Sequence, residues 1–234
     1  MKLLFFMLLI AGSSAQAMAQ STATPLQSAQ SEISFQFERQ GLAVPKFALV
    51  LYEDGTGSYK GETAPVSGAS YNASLHASSA AQPIDRPVRI SPATTEQLFK
   101  TARSLKYFNI PCESKAKNIA NTGKKTLSYS GSAGRGSCVY NYSDNKDVAQ
   151  ITEVFQAIAF TMDEGRRLDF MHRYDRLGLY SEMDTLRHEV EAKRALELGN
   201  ISTSLTSIAR DEDLMEKVRE RALALLNSIG EGPK

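Results

Sequence analysis

Residues 125–162, KTLSYSGSAGRGSCVYNYSDNKDVAQITEVFQAIAFTM, decide the fold. Two strand-like runs, Lys125–Ser130 and Ser137–Tyr142, flank a glycine-rich turn, Gly131–Gly136. A helix is expected from about Asp147 to Met162. Val148, Ile151, Phe155, Ile158 and Met162 step by threes and fours there, so they occupy one helical face. Neither a lone hairpin nor a lone short helix is stable in water. Each must cover the other, and the fold class that follows is α+β. It comprises a small antiparallel sheet of about five or six strands packed on two helices, followed by an all-helical C-terminal region.

The chain has 234 residues and a formal net charge of +1, which singles out no class of partner. Its start reads as a secretory signal peptide: Lys2, the apolar run Leu3–Ala11, then small and polar residues. That run is well short of the roughly 20 residues that a spanning helix needs. Ala17-Met18-Ala19 fits the A-x-A cleavage rule, so cleavage is expected between Ala19 and Gln20, with Ala15-Gln16-Ala17 as the competing site. No cysteine follows to accept a lipid. No later segment is apolar enough to cross a membrane, and the expected location is periplasmic or secreted. The expected division is a signal peptide over 1–19, a disordered lead-in over 20–31, an α+β domain over 32–163, a helical region over 164–229 and a disordered tail over 230–234.

In an exported protein, two cysteines are most simply one disulfide, here Cys112–Cys138. Closing a loop of about 25 residues would stabilise the chain by roughly 3–4 kcal/mol. A catalytic thiol is the alternative, but no family signature surrounds either cysteine.

Glu32–Arg39 alternates, with Ile33, Phe35 and Phe37 on one side and polar residues on the other, as in a strand with one wet face. Phe47–Tyr52 is apolar on both faces and reads as a central strand. Asp54-Gly55 turns it into a partner strand, Gly57–Gly61. Glu62–Pro87 reads as a long loop carrying His76, with a marginal strand at Ser70–His76. A short strand is expected at Val88–Ile90. Ser91-Pro92 then opens a helix that runs to about Lys106, with serine as N-cap and proline at the first helical position. Further helices are expected at Ser181–Leu198, Ser202–Arg210 and Asp213–Ser228. Gly199-Asn200 is read as the stop of the first.

Tyr52-Glu53-Asp54-Gly55-x-Gly57-x-Tyr59-x-Gly61, the Ile90-Ser91-Pro92 helix start and Tyr107-Phe108 at the helix end carry a resemblance over about Phe47–Met162. In element order and in these residues the chain resembles an uncharacterised class of exported bacterial domains with a small antiparallel sheet and two helices. The resemblance implies a fold and no activity. Members carry a cysteine pair ahead of the first hairpin, and this chain has none there. Asp169–Leu179 looks like an extension found in similar proteins.

Chemistry-bearing residues are sparse. From Lys100 to Arg135 the basic residues Lys100, Arg103, Lys106, Lys115, Lys117, Lys124, Lys125 and Arg135 meet one acid, Glu113. Such a run attracts anionic polymers, yet without interleaved aromatics or a motif it argues for no nucleic acid. Gly123-Lys124-Lys125-Thr126 lacks the earlier glycine of a phosphate-binding loop. Asp169, His172 and Asp175 form the one polar cluster to test, since spacings of three place them along one side of a helix. A carboxylate would there orient His172 as a base. The sequence calls for no cofactor and no metal. Tyr140 and Tyr142 share the parity of Cys138, which points to burial, whereas exposed tyrosines would offer stacking surfaces. The functional expectation is an exported non-catalytic module that binds a protein or an envelope polymer. The alternatives are an envelope hydrolase using His172 with Asp169 and Asp175, and a purely structural domain.

Overall fold

The structure, a computed structural model, describes residues 30–65 and 80–229. The signal peptide with its Ala19–Gln20 cleavage point, the lead-in over residues 20–29, the marginal strand at Ser70–His76 with His76, and the tail over 230–234 lie outside the described residues.

Six strands form one antiparallel sheet: β1 (Glu32–Glu38), β2 (Lys46–Tyr52), β3 (Thr56–Glu62), β4 (Pro83–Arg89), β5 (Lys124–Gly131) and β6 (Gly134–Tyr140). Their order is β4-β3-β2-β1-β5-β6, so β4 and β6 are the edges. Alternation sorts the side chains, because successive residues point to opposite faces. On the core face the register lines up Tyr59, Leu49, Phe35, Leu127 and Cys138 across β3, β2, β1, β5 and β6. All are buried. The same parity brings Arg86 of β4 and Lys125 of β5 onto that face.

Helices α1 (Pro92–Ser104) and α2 (Lys146–Tyr174) cover the core face. Ser91 caps α1, its Oγ accepting from Thr94 N at 3.3 Å. Asn145 caps α2, its Oδ1 accepting from Asp147 N at 2.9 Å and Val148 N at 3.3 Å. Val148, Ile151, Phe155, Ile158 and Met162 are all buried, and the Phe155 ring stacks on Phe35 at 5.2 Å. The helix does not stop at Met162. It continues for twelve residues to Tyr174, because its second half finds a second apolar cluster to pack against. Gly165 permits this: a Cβ there would lie 2.4 Å from Cγ2 of Ile201.

That second cluster is helical. It comprises α3 (Leu179–Glu191), a short turn at Leu198–Ile201, α4 (Ser202–Arg210) and α5 (Glu216–Ser228). The helix expected over Ser181–Leu198 starts at Leu179 and ends at Glu191. Lys193, at φ 57°, takes the left-handed conformation while Arg194 N and Ala195 N both bond to Glu189 O. Gly199-Asn200 therefore lies inside a helical turn rather than after a helix. The strand expected at Val88–Ile90 is longer and earlier, Pro83–Arg89.

The helical region is tied to the β4 end of the sheet by specific bonds. The Glu197 carboxylate accepts from Ser91 N at 2.8 Å, from Ser91 Oγ at 2.9 Å and from Thr94 Oγ1. It thereby places a negative charge at the N-terminus of α1, where the helix dipole favours one. Asp169 on α2 pairs with Arg86 at 3.3 Å and accepts from Ser204 Oγ at 2.6 Å. Among the described residues no helix is long and apolar enough to cross a membrane.

Between α1 and β5 the chain makes a turn that costs energy. Lys106, Tyr107 and Phe108 have φ of 52°, 58° and 64°, one left-handed turn closed by Phe108 N to Leu105 O and Asn109 N to Lys106 O, each 3.0 Å. Left-handed L-residues cost roughly 1–2 kcal/mol apiece. Burial of Phe108 and packing of the Tyr107 ring 4.8 Å from that of Tyr129 offset the cost. So does the Cys112–Cys138 disulfide, which ties the following segment to β6.

Candidate functional site

The β5–β6 hairpin turns through only Ser132 and Ala133, with Gly131 opposite Gly134. Gly134 and Gly136 are thus not turn residues but belong to β6. Their missing side chains make room for the left-handed turn: a Cβ on Gly134 would lie 2.4 Å from the Tyr107 ring, and one on Gly136 2.3 Å from Tyr107 O. The outer side of β6 stays clear, and Arg135, Ser137 and Val139 are exposed.

In a hairpin with a two-residue turn the closing pair exchanges both main-chain bonds, and bonding then alternates along the strand. Residues 134, 136, 138 and 140 bond toward β5, whereas 135, 137, 139 and 141 point outward. Asn141 fits this parity, since its N–H donates to Glu113 Oε2 at 2.6 Å. Among the described residues no main-chain partner faces Arg135, Ser137 or Val139 from beyond the edge.

The opposite edge is blunted. Thr63 N donates to Gln82 O and Ile90 N to Gly55 O, so even-numbered positions of β4 bond inward and odd ones face out. The outward residues are Pro83, Asp85, Pro87 and Arg89. Proline has no N–H, and it occupies two of the four. The Asn200 side chain takes the fourth, bonding both Arg89 N and Arg89 O at 2.8 Å.

Beside β6 lies a cleft of about 360 Å³ lined by Arg39, Lys125, Tyr140, Tyr142, Glu153 and Gln156. Lys125 is its floor. Its ammonium donates to Asn141 O at 2.7 Å, Thr122 Oγ1 at 2.9 Å and Gly123 O at 3.1 Å, all neutral acceptors. Burial, and then the nearby Arg39 charge, lower its pKa. The Tyr140 hydroxyl shares a hydrogen bond with Thr152 Oγ1, and burial pushes its pKa up to about 12. Tyr129 and Tyr140 are buried, but Tyr142, expected to share their burial, is 47 % exposed. The strand ends at Tyr140, so alternation no longer controls the tyrosine two residues on.

The structure does not bring the Asp169, His172 and Asp175 cluster together as a unit. Asp169 is engaged by Arg86 and Ser204. Asp175 sits at the end of α2 and accepts from Gly178 N at 3.0 Å. His172 Nε2 meets Asp211 Oδ2 at 2.8 Å instead. Asp211 also pairs with Arg176 at 3.2 Å, and the His172 hydrogen bond holds its carboxyl below the usual range. Asp211 follows α4, 39 residues away, and no local spacing foreshadows it. Among the described residues no three His, Cys, Asp or Glu side chains are placed to hold a metal ion.

The fold and this surface define an α+β domain with a docked helical region. Neither a protein-family model nor a curated protein matches the chain.

Proposed function

We propose that the chain is an exported, non-catalytic module that binds a protein or an envelope polymer along the β6 side of its sheet. The observation that carries this reading is the unequal treatment of the two edges. An unpaired edge is a template for foreign strands, and proteins usually blunt it. Here β4 carries two prolines and the Asn200 amide, while β6 carries an open run and the exposed Val139. The Cys112–Cys138 disulfide fits an oxidising compartment and so supports export to the periplasm or beyond. The bonds that Asp169 makes to Arg86 and Ser204, and His172 to Asp211, favour a structural role for those residues over the hydrolase alternative.

The test is retention of the purified chain on peptidoglycan and on immobilised envelope proteins, wild type beside Val139→Pro and Val139→Lys. Both substitutions are compatible with an edge strand. The expected result is retention on one matrix that both variants lose while their unfolding midpoints stay close to wild type. Retention equal in all three, or on neither matrix, overturns the reading.

A further inference from the structure

We propose that the open edge of β6 takes an extended, acidic segment of a partner protein as a seventh strand. This rests on the reading of β6 as the binding side. Strand addition needs outward main-chain groups on consecutive alternate residues, and Arg135, Ser137 and Val139 supply them. From 135 to 139 such an edge spans roughly 14 Å at about 3.4 Å per residue, enough to pair with a short peptide.

Charge selects the chemistry of the peptide. The exposed cations Lys106, Lys115, Lys117 and Arg135 lie on β6 or on segments joined to it. Lys106 begins the turn packed over Gly134 and Gly136, and Lys115 and Lys117 follow Ser114, whose N–H donates to Tyr142 O at 2.8 Å. The acids on these segments, Glu113 and Asp144, bond the neutral donors Asn141 N and Ser114 Oγ and keep their charge, so four cations stand against two acids. A net positive balance beside an unpaired edge favours acidic side chains and disfavours basic ones. Val139, 52 % exposed on the outer face, offers an apolar cross-strand position. The segment that fits therefore alternates acidic and β-branched residues.

The probe is acetyl-Glu-Val-Glu-Val-Glu-Val-amide, with its Lys-Val counterpart as control, followed by amide NMR on the disulfide-bonded protein. The acidic peptide is expected to shift the Ser137 and Val139 amides and slow their exchange. The lysine peptide should bind roughly tenfold or more weakly, and about 0.5 M salt should narrow that gap. Val139→Pro should abolish binding, and Arg135→Glu should weaken it without moving the unfolding midpoint. Equal binding of the two peptides, shifts that map elsewhere, or β6 pairing with a second copy in sedimentation overturns the proposal. Envelope retention that depends on Val139 without any binding of the acidic peptide overturns this inference and leaves the binding reading standing. Retention insensitive to Val139 overturns both.

Discussion

The side-chain amide of Asn200 pairs with Arg89 as a neighbouring strand would: its Oδ1 accepts from Arg89 N and its Nδ2 donates to Arg89 O, both at 2.8 Å. One residue of the helical region thus finishes the sheet edge and docks that region in the same contact. Asn200→Ala is expected to lower stability by about 1–2 kcal/mol, since it leaves both main-chain groups without their partner. Urea unfolding measures the loss, and amide exchange at Arg89 should speed up with it.

Gly136→Ala places a methyl where Tyr107 O lies 2.3 Å away and Asn109 N 2.9 Å away. Both atoms are backbone and belong to the left-handed turn, so neither has a rotamer into which to retreat. Overpacking of this kind costs about 1–3 kcal/mol. Thermal unfolding should show the drop. Ala133→Gly, in the exposed turn next door, should change stability by a few tenths of a kcal/mol at most.

Much of this was legible in the sequence. The periodicity from Val148 to Met162 placed the helix that covers the sheet, and each of its five stripe residues is buried. Parity along β1 marked the core face, where Ile33, Phe35 and Phe37 are buried. The continuation of α2 was not legible, because Asp163-Glu164-Gly165-Arg166-Arg167 reads as a polar break. What sustains the helix there is long-range: Ile201 against Gly165, and the α3 region against Leu168. The end of α3 was hidden for a related reason, since Lys193 takes a left-handed conformation that glycine usually signals. On the candidate surface, the basic run was visible but its neighbour was not. That it borders an open edge depends on which strand lies outermost, and pairing order is a tertiary fact. Parity alone, however, would have put Lys125 on the core face beside Leu127 and Tyr129.

Glu164 on α2 and Glu182 on α3 are buried together, each with an Oε1 that has no hydrogen-bond partner among the described residues. Arg167 neutralises Glu182 across the same interface. Burial, and then the neighbouring Glu182 carboxyl, push the Glu164 pKa up, with Arg167 opposing and Asp163 adding to the shift. A raised folded-state pKa gives stability that is full below the unfolded value near 4.5 and is lost as pH rises from there through the raised folded value. The slope has an upper limit of about 1.4 kcal/mol per pH unit for one proton. Glu164→Gln keeps the neutral form at every pH. Its melting temperature should match wild type near pH 4.5, exceed it at pH 8, and vary less between the two. A wild-type melting temperature that rises from pH 5 to 8 in parallel with the variant would contradict the assignment.

The Cys112–Cys138 bond closes a separation of 26 residues and holds the segment after the strained turn beneath β6. Replacing both cysteines by alanine is expected to cost about 3–4 kcal/mol in the chain-entropy picture. Loss of the Tyr107–Tyr129 packing should accompany it. Denaturant unfolding gives the first quantity, and near-ultraviolet circular dichroism of the tyrosines reports the second.

The central claim is that one edge of the sheet is blunted and the other, among the described residues, open. Amide hydrogen exchange of the free protein, read residue by residue, tests it most directly. The account predicts that Arg89 exchanges slowly behind Asn200, while Ser137 and Val139 exchange fast although Cys138 and Tyr140 between and beside them are protected. Slow exchange at Ser137 and Val139 in the free, monomeric chain would show that the β6 edge is already occupied, and the binding surface described above would not exist.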